Sequence, residues 1–257
     1  MFKKIALAVA LVAATSFATW DYYKVPEAGK GQVKGQFKYD TDDPWSGWGI
    51  NASARYVVIP NLELSLRGLG IASWENDDSD ADGFGITDFT FGVRYAIMPI
   101  VNVFVEMNLP IGDEDEGTYI GTDEWGFYFG GQFTSDQFLK NLTVGAEVGT
   151  YWGFEHNDYD PGLVLTTGVE AGYFIEQIGL TPFVGSEFKY KLTDDEYDPA
   201  NKAAHWKDNQ GDTQFNFWVG AAYGINDRMT VDAQIKFRSG DIDGDAFHTE
   251  ANYTFSF

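Results

Sequence analysis

Tyr253-Thr254-Phe255-Ser256-Phe257 ends the chain as a strict alternation of aromatic and small polar residues. In an extended backbone successive side chains point to opposite faces, so three rings fall on one side and two hydroxyls on the other. The same period of two returns upstream. From Asp88 to Ile97 every odd position is large and apolar and every even one is polar or small. Val101 to Leu109 repeats the pattern with one break, Phe104, and Phe215 to Ala221 and Met229 to Phe237 repeat it again. None of these segments has the spacing of an amphipathic helix, so the chain reads as all-β.

Cutting at turn signals predicts twelve strands, near residues 32–40, 48–59, 62–74, 86–98, 101–111, 124–134, 142–154, 162–175, 180–193, 213–224, 229–239 and 247–257. Each reaches or slightly exceeds the ~9 to 11 residues that a tilted strand needs to cross a bilayer. The connections alternate in length. Short ones carry Pro60-Asn61, Pro99-Ile100, Gln177-Ile178-Gly179 and Asn226-Asp227, while long ones are rich in Asp, Glu and Gly. Leu62, Leu64 and Leu66 share a face but Leu69 and Ile71 lie on the other, which predicts a bulge around Gly68. Aromatics gather at strand ends. Tyr39, Trp48, Trp74, Trp125 and Trp152 would form one girdle, and Tyr56, Tyr95, Tyr173, Tyr223 and Phe255 the other.

At the other end, Lys3 and Lys4 precede an apolar run from Ile5 to Val12 and the small-residue site Ser16-Phe17-Ala18. This pattern predicts a cleaved signal peptide over residues 1–18, with a run too short to span a bilayer as a helix. Residues 19–31 form a segment of unknown role, and 32–257 form one barrel domain without an internal linker. The chain contains no cysteine, which excludes disulfides, thiolate metal sites and lipoprotein anchoring. With 22% charged residues, 17% aromatics and 29 glycines, the composition fits twisted strands and turns rather than disorder. A formal net charge of −22 argues against a nucleic-acid partner.

Signal, alternation, loop asymmetry and terminal Phe257 together resemble the outer-membrane β-barrels of Gram-negative bacteria, in particular their porin-like channels. The resemblance implies a transmembrane antiparallel up-and-down β-barrel of about twelve strands. It places the barrel in outer-membrane lipid and lipopolysaccharide, with Phe257 as the signal read by the insertion machinery. It also implies a passive, non-enzymatic channel for small polar or cationic solutes. Two alternatives stay open, a structural or adhesive barrel with a closed lumen and an outer-membrane hydrolase. Narrow sugar-acid and nucleoside channels have a similar strand count, but an acidic mouth disfavours a sugar acid.

Assigning the apolar face to lipid makes the opposite face the lumen. Its basic candidates are Lys34, Lys38, Arg55, Arg67, Arg94, Lys189, Lys191, Lys236 and Arg238. Its acidic ones are Glu63, Asp88, Glu106, Glu147, Glu170, Glu187, Asp232 and Glu250. Most bases come from the first four strands and the eleventh, while Glu106, Glu147, Glu170 and Glu187 come from the fifth and the seventh to ninth. That segregation reads as a wet pore with a transverse field, or else as an interior closed by ion pairs. The six long loops hold 26 of the 39 acids, opposed there only by Lys202 and Lys207. Asp77, Asp78, Asp113, Glu114, Asp115, Glu116, Asp194 and Asp195 would form an acidic ring at the mouth that concentrates cations.

No cofactor is expected. Asp241, Asp243 and Asp245, spaced by Ile242 and Gly244, resemble the start of a calcium loop, but Asn252 stands where an EF-hand places its glutamate. That leaves a solvated acidic turn or weak Ca²⁺ binding at the loops. His156, His205 and His248 lie at or near the outer loops, where His156 beside Asp158 and Asp160 imitates a protease pair. Asp198-Pro199 followed by residues 200–207 predicts a short capped helix within the longest loop.

Overall fold

The computed structural model describes residues 27–42, 45–76, 82–112, 120, 124–154, 159–197, 209–242 and 244–257. Twelve antiparallel strands close into a barrel, and no helix occurs among the described residues. In chain order they are β1 (Gly31–Asp42), β2 (Trp45–Ile59), β3 (Leu62–Asn76), β4 (Asp82–Ile86 with Phe89–Met98), β5 (Val101–Leu109) and β6 (Gly126–Leu139). The second half comprises β7 (Leu142–Gly153), β8 (Val164–Tyr173), β9 (Leu180–Lys191), β10 (Thr213–Asn226), β11 (Met229–Gly240) and β12 (Ala246–Ser256). Each strand pairs with its sequence neighbours, and β1 pairs with β12 to seal the ring. Two short segments, Tyr159–Asp160 and Glu196–Tyr197, pair with each other beyond the strand ends.

The seal extends to the last residue. Gly31 and Phe257 exchange both backbone hydrogen bonds at 3.0 Å, and the Phe257 ring stacks on Tyr56 with centroids 6.3 Å apart. Outside, large apolar side chains such as Val33, Phe37, Ile50, Val105, Val148, Val169, Val219 and Phe237 stand about half exposed all around the wall. A continuous apolar belt of that size belongs in lipid rather than water.

The bulge sits where the change of phase predicts it. Ala54 pairs with Leu66 and Ala52 with Leu69, so Arg67 and Gly68 together oppose Ser53. Gly68 takes φ +82°, a conformation that side chains with a Cβ rarely adopt. On the other side β4 breaks at Thr87-Asp88, where Thr87 Oγ1 donates to Gly68 O at 2.6 Å and Thr87 N donates to Gly70 O at 3.1 Å. The phase flip carries on up the strand and corrects one girdle assignment. Trp74 shares the face of buried Ala72, and its ring lies over Gly47. It faces inward, while Tyr39, Trp48, Trp125 and Trp152 face outward.

The short turns fall at Pro60-Asn61, Pro99-Ile100, Lys140-Asn141 and residues 176–179. Asn61 and Asn141 hold φ near +70°, which asparagine tolerates. The last short turn is Asp227-Arg228, one residue beyond the expected Asn226-Asp227, because Asn226 still pairs with Met229 and its Oδ1 accepts from Arg228 N at 2.9 Å.

Candidate functional site

Inward-facing side chains divide the lumen into two levels. At the short-turn end Glu63 lies between Arg55 and Arg94, 3.6 Å from each, and the three residues are only 2 to 5% exposed. Arg55 Nε and Nη2 donate to Gln32 Oε1 at 2.8 and 2.6 Å, and Gln32 Nε2 donates to Ser256 Oγ at 3.0 Å. Asn102, Gln132, Thr134, Thr181, Thr230, Asp232 and Thr254 are buried around them, as are Val57, Phe104, Phe183 and Trp218. Side chains therefore fill this half. A buried charge is tolerated where an opposite charge and hydrogen bonds compensate its lost hydration, as the Arg-Glu-Arg arrangement does here.

Polar networks run along the wall above. Trp218 Nε1 donates to Glu170 at 2.7 Å, and Lys236 Nζ stands 5.7 Å from the Trp218 ring centroid. Across the β1/β12 seam, His248 bridges Asp40 and Glu250, the latter at 2.6 Å, while Lys38 lies 3.8 Å from Asp40. Gln36 Nε2 donates to Glu250 at 2.8 Å, and Asn252 Nδ2 donates to Asp232 at 2.7 Å. His248 thus faces the lumen from within the last strand, near the end that leads to a long loop. Its place two residues before Glu250 on one face was the sequence signal. Lys34, Lys189 and Arg238 also lie on the inward face of their strands. The bases and acids are not held apart as two walls, because Arg67 pairs with Glu106 and Glu63 lies among the arginines.

At the long-loop end the lumen opens into a cavity of about 720 Å³. Its carboxylates are Glu106, Glu124, Glu147, Glu187, Asp195, Asp212 and Asp241, and its bases are Arg67, Lys189 and Lys191. Tyr128 and Tyr151, paired across β6 and β7, line one wall. Tyr128 donates its hydroxyl to Glu147, which also accepts from Gln132 Nε2 at 2.6 Å. Tyr151 donates to Glu124 at 2.7 Å, and Asn216 Nδ2 donates to Glu187 at 2.7 Å. Both tyrosines lie along the wall because glycines leave room. A Cβ at Gly149 would come 2.6 Å from Tyr128 Cζ, and one at Gly126 would come 2.3 Å from Tyr151 Oη. Burial pushes the Glu124 carboxyl above the usual glutamate value, against the lowering effect of the Tyr151 hydrogen bond. Glu124, Tyr128 and Tyr151 were not among the expected lumen residues.

The rim acids that are described serve the loop itself. Burial raises the Asp195 carboxyl, but the Lys191 ion pair and hydrogen bonds from Gly162 N and Asn209 outweigh it and hold the group below the usual range. Gly162 N donates to Asp195 at 2.7 Å and Asn209 Nδ2 at 2.6 Å, while Asp194 Oδ1 accepts from Asn209 N at 2.9 Å and Gln210 N at 2.5 Å. Asp194 and Asp195 therefore tie together the two described flanks of the longest loop, residues 192–197 and 209–212. Asp88 Oδ1 likewise accepts from Gly112 N at 2.8 Å. Asp245 Oδ1 accepts from Gly240 N at 3.2 Å within its turn, Asp241 lines the cavity, and no group of three or more potential metal ligands occurs among the described residues. The signal segment, Asp77, Asp78, Asp113, Glu114, Asp115, Glu116, Asp243, His156, His205 and the expected helix after Asp198 lie outside the described residues.

Residues 18–241 match the sequence profile of the family described as "Putative MetA-pathway of phenol degradation". No curated protein sequence matches the chain. Among solved structures, the COG4313 outer membrane channel from Pseudomonas putida F1 superposes with a TM-score of 0.73 at 14% identity, covering 94% of this chain and 100% of its own. The NanC porin gives 0.54 at 14% identity, with 87% of this chain and 98% of its own covered. The translocator domain of the autotransporter NalP from Neisseria meningitidis gives 0.55 at 11% identity, covering 90% of each. A channel, a porin and a translocator share this architecture, so the likeness fixes an outer-membrane barrel fold and not a solute.

Proposed function

We propose, from the premise that the chain belongs to the MetA-pathway phenol-degradation family, that it is a narrow passive channel of the outer membrane for small polar or cationic solutes. The observation that carries this reading is the cavity at the long-loop end, where seven carboxylates face three bases. A low-dielectric barrel wall focuses that field, and the acidic loops above add to it, so cations gather at the mouth and anions are repelled. Two structural neighbours, an outer membrane channel and a porin, support passage of solutes. Export with loss of residues 1–18, insertion through Phe257, lipopolysaccharide around the outer girdle and a non-enzymatic role belong to the same proposal.

A specific observation favours a second reading, a structural barrel closed inside, because side chains fill the short-turn half of the lumen. Conductance of the purified protein in a planar bilayer separates the two. The channel reading expects small, cation-preferring unitary currents in a salt gradient. Silence in the bilayer supports the closed barrel, and anion preference overturns the charge argument.

A further inference from the structure

We infer that the paired wall of Tyr128 and Tyr151 is a binding site for small organic cations, of the quaternary or protonated amine class. The inference rests on the channel reading for access but on separate residues for recognition. Tyr128 and Tyr151 are register partners on β6 and β7, and each ring lies diagonally over a glycine of the neighbouring strand, Gly149 and Gly126. Both rings line the cavity, and Tyr128 also packs against Phe104 with ring centroids 5.0 Å apart. The aromatic face carries the negative lobe of the ring quadrupole and attracts cations.

The hydroxyls sharpen the preference. Tyr128 donates to Glu147 and Tyr151 to Glu124, so both phenol protons already point at carboxylates. Donation to a carboxylate enriches the ring in electron density, and it removes the donors that an anionic ligand would need. Charge acts in the same direction. With Arg67 ion-paired to Glu106 and Lys191 to Asp195, the cavity lining as a whole still carries seven carboxylates against three bases. A cation bound here would exchange its hydration for two tyrosine rings whose hydroxyls donate to carboxylates, and aromatic rings of this kind hold quaternary ammonium groups in proteins. An uncharged ligand of the same shape gains only the contact.

The test compares choline with 3,3-dimethyl-1-butanol, its uncharged isostere, by calorimetric titration into the folded full-length protein in detergent. Choline is expected to bind at least about tenfold more tightly than the isostere. Tyr128→Leu and Tyr151→Leu are each expected to weaken choline about tenfold. Tyr128→Phe and Tyr151→Phe keep the ring and should lose only about two- to threefold, provided all variants retain the migration shift on boiling that marks a folded barrel. Equal affinity for choline and its isostere in the unaltered protein, or undiminished choline binding in the folded leucine variants, overturns the site. Bilayer currents separate this failure from failure of the channel. Choline binding without any current keeps the site and removes the channel, and cation current without choline preference does the reverse.

Discussion

At the short-turn end Glu63 is held by two guanidinium groups, whereas at the long-loop end the ion pairs Arg67–Glu106 and Lys191–Asp195 stand beside Glu124, Glu147 and Glu187, which accept from Tyr151, Tyr128 and Asn216. Both ends are lined by the same twelve strands with the same inward alternation. The difference is water. For Glu63, enclosed by side chains, opposite charge offsets the hydration lost on burial, which costs several kcal/mol per ion, while buried Asp232 at the same end accepts from Asn252. The cavity is open enough to admit water, so its carboxylates need less compensation than Glu63 does. On the proposed channel reading, one end of the lumen is organised for closure and the other for attraction.

The largest effect is expected at the closing seam of the short-turn end. Deleting Phe257 removes both backbone bonds to Gly31 and the ring that stacks on Tyr56. Most of the assembled barrel should be lost from the outer membrane, with aggregated or degraded protein in the periplasm and normal cleavage after Ala18. Quantifying heat-modifiable protein in outer-membrane fractions checks this, and unchanged levels would refute the role given to the terminus. Glu63→Gln comes next. Leaving Arg55 and Arg94 buried beside a neutral amide should destabilise the barrel by about 3 to 5 kcal/mol in urea titrations from lipid vesicles. Glu187→Gln, facing the cavity, should cost less than about 1 kcal/mol by the same measurement. Equal losses would erase the contrast between the two ends.

Selectivity should follow the opposite ranking. Converting Asp113, Glu114, Asp115 and Glu116 to their amides is expected to move the reversal potential in a salt gradient toward zero. Conductance at ~1 M salt should hardly change, since mobile ions screen charges beyond about 3 Å there. Glu106→Gln and Glu147→Gln should alter conductance even at that salt, because carboxylates lining the cavity are screened less. A conductance change from the loop amides alone would place the selective element outside the barrel.

The strands were legible because period two runs through most segments and needs no partner to be read. The bulge at Gly68 was legible for the same reason, as a change of phase within β3. Its consequence was not carried far enough, so Trp74 was placed outside when the flip turns it in over Gly47. His248 was read only as lying at or near an outer loop, although Glu250 on the same face of the strand predicted at 247–257 marked it as a lumen residue. Tyr128 and Tyr151 were missed for a deeper reason. A cavity wall made by a ring over a glycine depends on which residues meet across two strands, and the register of β6 against β7 is not written in either strand alone. The balance of bases and acids was likewise countable from sequence, but the pairing of Arg67 with Glu106 and of Glu63 with two arginines was not.

The smallest effect concerns the latch at the long-loop end, where two carboxylates respond to pH with opposite sign. Asp195 lies below the usual aspartate range when folded, because Lys191, Gly162 N and Asn209 favour its charged form. Its contribution is therefore present above the ordinary aspartate value and is lost as pH falls through the folded one, from about pH 4 downward. Glu124 is raised by burial, so its contribution is present at low pH and is lost as pH rises from the usual glutamate value through the folded one. Pepsin cleavage within residues 192–212 should accordingly rise a few-fold as pH falls below about 4. Asp195→Asn, which loses the titrating group, should be cleaved faster at pH 5 and show a flatter profile. Glu124→Gln should leave the acid-side profile in place while slightly protecting the loop at the higher end of the pepsin range, since the amide keeps the Tyr151 contact without a buried charge. An acid profile that survives Asp195→Asn would assign the latch to another group and leave the long-loop end without the local order that sets its carboxylates around the cavity.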